Sequence, residues 1–132
     1  MSTVKVNTLT GTTTAGSIAV TGEGNSTTTN LQQGLAKFWI DFNGSGTVAE
    51  RDSFNSSSIG DGGTGYYSVN YTNAFSAATY AGVGTQENNY GTVAIPKQSN
   101  SLGTSSTNIQ VTDGSSAYDS PYVHVILFGD LA

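Results

Sequence analysis

From residue 36 onward, apolar side chains recur at every second position, and this period-two pattern constrains the fold more than any other feature of the chain. In residues 36–42, Ala36, Phe38, Ile40 and Phe42 share one side and Lys37, Trp39 and Asp41 the other, as strand geometry requires. Asn43-Gly44-Ser45-Gly46 follows as a turn, because Asn and Gly accept the positive φ of tight connections. The same reading predicts strands over residues 48–54, 66–71, 80–83, 92–95, 107–111 and 122–128. Asp61-Gly62-Gly63-Thr64-Gly65 and Asp113-Gly114 serve as turns between them. A single helical turn is expected at residues 73–78; no stretch of helical period is longer. Short strands with regularly spaced turns imply an all-β chain, an antiparallel β-sandwich.

Composition agrees with strands and limits the chemistry. Charged residues make up 10% of the chain, and 17 glycines accompany abundant Ser, Thr and Asn. Lys5, Lys37, Arg51 and Lys97 are dispersed in a chain of net charge -5, so no basic patch exists to engage successive phosphates, and nucleic acid is not an expected partner. Cysteine is absent, which removes disulfides and thiolate chemistry. Residues 1–9 alternate without an apolar signal core, and the run Val125-Ile126-Leu127-Phe128 is too short to span a bilayer. A protein that needs no membrane insertion and assembles in a reducing cytoplasm is expected.

Residues 1–34 read differently from residues 35–132. They carry only Lys5 and Glu23 as charges and no aromatic residue. Val4 and Val6, then Ile18 and Val20, alternate with polar residues on either side of Thr10-Gly11-Thr12-Thr13-Thr14, predicting two short strands about a Thr-rich turn. An isolated hairpin is marginal in water, so this segment is expected to be an attachment arm, with Val4, Val6, Leu9, Ile18 and Val20 meeting a partner surface. Residues 35–132 are expected to form a knob.

The last predicted strand is apolar on both faces. Val123, Val125 and Leu127 lie on one side, and Tyr122, His124, Ile126 and Phe128 on the other. One sandwich core covers only one face, so the second, together with Trp39, calls for another copy of the chain.

Catalytic constellations are sparse. His124 is the only histidine and lies between two valines; an interface position is the expectation, and neither a metal nor a cofactor is predicted. Glu50 and Asp52, two apart on one predicted strand, would face the same side at roughly 6–7 Å, a separation relevant to glycosidases. Arg51 between them, an adjacent turn and the lack of a long groove argue for a solvated or intermolecular contact, and no enzyme activity is expected. Four Asn-X-Ser/Thr triplets, at Asn25, Asn43, Asn55 and Asn70, follow from composition. Asn88-Asn89-Tyr90 and Tyr118-Asp119 lie in predicted loops and suit contacts to a receptor, since Tyr is amphipathic and loses little entropy on binding.

A family resemblance gives these parts a setting. The segment Gly34-Leu35-Ala36-Lys37-Phe38-Trp39-Ile40-Asp41-Phe42-Asn43-Gly44, the elements Arg51-Asp52-Ser53-Phe54-Asn55, Ser58-Ile59, Asp61-Gly62-Gly63-Thr64-Gly65, Tyr67-Ser68-Val69-Asn70-Tyr71 and Tyr80-Ala81-Gly82-Val83, and residues 123–129 resemble a module of marine tailed-phage virion proteins, commonly of cyanophages. In that family the module is the knob of fibre-like proteins, usually trimeric. The resemblance implies a homotrimeric virion structural protein, attached to other capsid or tail proteins and contacting a glycan or protein of the host surface. The interface would include Trp39, Tyr122, His124, Ile126 and Phe128. Family members often carry a long shaft before the module, whereas 34 residues precede it here. That brevity suits a capsid decoration protein, a head fibre or cement that covers or reinforces the shell, as the alternative.

Overall fold

The structure is a computed structural model that describes residues 3–87, 91–96 and 102–132. The chain divides into two compact units, Met1–Leu35 and Ala36–Ala132. Among the described residues every regular element is a strand.

In the first unit, β1 (Ala19–Thr21) pairs antiparallel with β2 (Thr28–Asn30), Ala19 opposite Asn30. The predicted strand through Val4 and Val6 does not form. The turn that closes the hairpin lies instead at residues 22–27, where Gly22 donates to the Thr27 carbonyl at 2.8 Å and Asn25 takes a φ of 55°. The Thr-rich stretch becomes a local turn, with the Ser17 hydroxyl donating to the Thr14 carbonyl at 2.8 Å. Asn and Gly tolerate positive φ where Thr does not, so the hairpin closes there rather than at the threonines. Val4, Val6, Leu9 and Val20 are exposed, and Ile18 is partly buried.

The second unit is a sandwich of two four-stranded sheets. Its strands are β3 (Phe38–Asn43), β4 (Ala49–Phe54), β5 (Ser56–Asp61), β6 (Tyr66–Tyr71), β7 (Ala81–Gln86), β8 (Thr92–Ala94), β9 (Ser106–Thr112) and β10 (Val123–Phe128). One sheet runs β4-β3-β10-β7 and the other β5-β6-β9-β8, with all neighbours antiparallel. The first and last strands of the unit pair in one sheet, and β6 pairs with β9 in the other, a nesting of the jelly-roll kind. Residues 73–78 contain no helix; Phe75 forms an isolated bridge with Leu131 and is buried in the core. Burial of the Phe75 ring in the core, with its backbone tied to the C-terminal segment, replaces the predicted turn of helix.

The core is aromatic at both ends of β3 and β6 and branched aliphatic at its centre. Phe38, Ile40, Phe42, Val123, Val125 and Leu127 from the first sheet meet Tyr67, Val69, Tyr71, Ile109 and Val111 from the second. Phe38 sits edge-on to Tyr71 at 5.0 Å between ring centroids, Phe42 edge-on to Tyr67 at 5.0 Å, and Phe75 stacks on Tyr80 at 4.2 Å. Such pairs add about 0.5–1.5 kcal/mol beyond the area they bury. β7 presents glycine at two of its three inward positions: a Cβ at Gly82 would stand 2.3 Å from Leu127 Cδ2, and one at Gly84 2.5 Å from Val93 Cγ1. Bare backbone here lets the two sheets close at this edge.

β5, absent from the sequence reading, begins after a single connecting residue. Asn55 joins β4 to β5 with a φ of 64° and carries the chain from one sheet to the other. Its amide donates to the carbonyls of Lys37 (2.9 Å) and Asn73 (3.0 Å), while its side-chain oxygen accepts from the Asn73 backbone N–H at 2.7 Å. Asn55→Gly keeps the backbone conformation and loses these bonds; Asn55→Ala loses both. Urea denaturation should show about 2 kcal/mol lost for the glycine variant and about 1 kcal/mol more for alanine.

The buried tyrosines also make a pH prediction. Tyr67 donates to the Gly44 carbonyl and Asp119, each at 2.9 Å, and Tyr71 meets the Tyr80 hydroxyl at 2.8 Å. Burial first, then the Asp119 carboxylate for Tyr67 and the Tyr80 hydroxyl for Tyr71, raise both phenols well above the usual tyrosine value. Groups with raised folded-state values stabilise fully below the unfolded value, near pH 10, and lose that contribution above it. Base titration should show tyrosinate absorbance from these two rings rising together with loss of the β-sheet circular dichroism signal; Tyr71→Phe should move that transition to higher pH.

Candidate assembly face

Pleating forces a second face on the first sheet. Because Phe38, Ile40, Phe42, Val123, Val125 and Leu127 point inward, Trp39, Asp41, His124, Ile126 and Phe128 point away from the core. Register then aligns them. Trp39 stands opposite Phe54 on β4 and Ile126 on β10, and Ile126 stands opposite Val83 on β7. The result is an unbroken apolar row, Phe54–Trp39–Ile126–Val83, across all four strands. Val83 is 57% exposed, Phe54 49%, Tyr122 49% and Phe128 37%. A shallow depression of about 280 Å³ runs between Trp39, Val83, His124 and Ile126.

A polar row borders the apolar one, with Asp52 opposite Asp41, Asp41 opposite His124, and His124 opposite Thr85. Arg51 Nη1 donates to Asp41 Oδ1 at 3.1 Å, and His124 Nδ1 lies 3.6 Å from the same oxygen. The Arg51 guanidinium also donates to the Pro121 carbonyl and lies over the Tyr122 ring, 4.4 Å from its centroid. Arg51 and Asp41 are each about one-third exposed, so their pairing contributes on the order of 1 kcal/mol or less to stability. Its clearer effect is geometric: Arg51 holds the Tyr122 ring beside Asp41 at the border of the apolar row.

The expected pairing of Glu50 with Asp52 is not observed. A register shift lies between Asp41 and Phe42, so β4 has Asp52 opposite Asp41 and Glu50 opposite Phe42. A bulge inserts one residue and flips the facing of what precedes it. Asp52 therefore shares the outward side with Asp41, while Glu50 turns to the core side at the sheet edge and accepts from the hydroxyls of Ser53 and Ser56. The two carboxylates therefore do not share a face of the sheet.

The interface residues read from the sequence, Trp39, Tyr122, His124, Ile126 and Phe128, thus all occupy one face. Phe54, Val83, Arg51 and Asp41 join them there and were missed as a set. Phe54 and Val83 lie on strands whose facing depends on the β4 bulge and on pairing with β10, neither readable from local alternation. Of the receptor candidates, Tyr118 is partly buried, its N–H donating to the Val111 carbonyl at 3.0 Å; Asn88, Asn89 and Tyr90 lie outside the described residues. The amides of Asn43, Asn55 and Asn70 are held in local hydrogen bonds. Among the described residues no group of three or more His, Asp or Glu side chains could hold a metal ion. Among the described residues no helix is long and apolar enough to cross a membrane.

No protein-family model matches the chain, and neither a curated protein nor a solved structure was found to resemble it.

Proposed function

We propose that the protein is a structural knob that assembles through the outer face of the β4-β3-β10-β7 sheet into a homotrimer. The observation that carries this reading is the apolar row Phe54–Trp39–Ile126–Val83, flanked by exposed Phe128 and Tyr122. Apolar surface of this continuity marks an interaction site on a chain with so few charges. A second copy is the occupant that the charges favour. Among its formal charges the face carries Asp41 and Asp52 against Arg51, a net of -1 on the same count that gives the chain as a whole -5. Copies that repel through their other acids can approach here. Head-to-tail contact between copies gives a closed ring when the rotation between them closes, and the three-fold form is the smallest such ring beyond a dimer.

The resemblance supplies the setting: a tailed-phage particle, with residues 1–34 as the attachment arm and contact with the host surface as the leading role. A capsid decoration role is the alternative. Neither role calls for catalysis, and the divergence of Glu50 from Asp52 fits that.

Light scattering on the purified chain should give three times the 13.6 kDa chain mass. Ile126→Lys should give a monomer with an unchanged β-sheet spectrum, because a lysine ammonium cannot be buried unpaired in the apolar row without a cost of several kcal/mol. A wild-type monomer would overturn the reading, and a dimer would remove its three-fold form. Deleting residues 1–34 should leave a folded trimer that no longer loads onto particles. Binding of that truncated trimer to host cells supports the receptor role; particles that are fragile yet infectious without it support decoration.

A further inference from the structure

The opposite sheet presents a face of different character. Outward positions on β6 and β9 hold Tyr66, Ser68, Asn70, Ser106, Asn108 and Gln110, none of them charged. All are partly buried, although both strands lie in the middle of their sheet. A depression of about 180 Å³ opens among Asp61, Gly62, Tyr66, Ser68 and Asn108. Glycine keeps it open: a Cβ at Gly60 would stand 2.4 Å from Ser68 Oγ, and one at Gly62 3.1 Å from the Tyr66 carbonyl.

The side chains here differ in how they are engaged. Gln110 donates to the Tyr66 hydroxyl at 3.2 Å, which fixes that ring, and Asp61 spends one carboxylate oxygen on the Gly63 N–H at 2.8 Å. Asn30, Asn43, Asn55, Asn70 and Asn73 all commit their amides to the protein. Asn108 and its cross-strand partner Ser68 make no side-chain hydrogen bond to any described residue. A half-buried amide and hydroxyl thus lie adjacent and uncommitted beside a fixed aromatic ring.

We infer that this depression binds a neutral saccharide. Sugar hydroxyls donate and accept, which matches the paired amide and hydroxyl, while a Tyr ring covers the C–H face of a pyranose. The uncommitted Asp61 oxygen accepts a further hydroxyl proton. The same carboxylate, on a chain of net charge -5, repels sialic or uronic acids. This inference rests on the assembly reading in one respect only: assembly through the other sheet leaves this face open.

The experiment is retention of the full chain on immobilised glucose-, galactose- and mannose-terminated oligosaccharides, beside sialylated ones. Retention of at least one neutral probe is expected, with none of the sialylated probes retained. Asn108→Ala and Ser68→Ala should each weaken retention about fivefold to tenfold, the effect of one lost hydrogen bond, at unchanged thermal midpoint and unchanged mass by light scattering. Failure to retain any neutral probe overturns the site, as does retention indifferent to both substitutions. Equal retention of sialylated probes overturns its neutral specificity. A changed oligomeric mass bears on the assembly reading and not on this one.

Discussion

The pleat of β3 and β10 governs both faces of the sheet they share. Once Phe38, Ile40 and Phe42 are committed to the core with Val123, Val125 and Leu127, the intervening residues have nowhere to go but outward. Trp39 and Ile126 are therefore not stray apolar residues on a surface. They are cross-strand partners, placed together by the same pairing that builds the interior. Shifting the register by one residue would expose the core set and bury the acid Asp41 and His124, so the hydrophobic interior and the outward row are secured by one interaction.

The two sheets solve the problem of their outer surfaces in opposite ways. The β4-β3-β10-β7 sheet carries aromatic and branched side chains bordered by an acid–base cluster, whereas the outward positions of β6 and β9 carry short amides, hydroxyls and one tyrosine. Neither resembles a surface evolved merely to stay dissolved, where both signs of charge would be interspersed. In a chain with only 10% charged residues, solvation of the outer surfaces rests largely on neutral hydrogen-bonding groups. The proposed assembly would cover the apolar face and leave the other as an open polar surface.

Local alternation made much of this legible in the sequence. The strands carrying Phe38, Tyr67, Ile109 and Val123 were evident because each alternates buried and outward residues, and the doubly apolar run 122–128 announced a face the core could not cover. What escaped was set by pairing rather than by pattern. β5 reads Ser56-Ser57-Ser58-Ile59-Gly60-Asp61, with almost no apolar signal, and exists because β6 offers it an edge and Asn55 turns the chain onto it. The strand expected at Val4 and Val6 had alternation but no partner. The Glu50–Asp52 facing failed for a single reason: counting by twos assumes an unbroken ladder, and Arg51 breaks it.

That break has a consequence for the face itself. With a regular ladder, Arg51 would take the register place opposite Asp41 or Phe42, and its direction would be fixed by the pleat. As the extra residue of the bulge it is released from direct pairing, and its guanidinium reaches Asp41 on the neighbouring strand, the Pro121 carbonyl and the Tyr122 ring together. The three groups precede or lie within the strands that form the apolar row. One inserted residue thus turns Glu50 and Asp52 to different faces and at the same time gathers a cation, an acid and an aromatic ring at the border of the surface where assembly is proposed. Because bulges near a sheet edge redirect side chains while leaving the strands on either side paired, this arrangement costs the core nothing: Phe42, Ile40 and Phe38 remain fully buried beneath it.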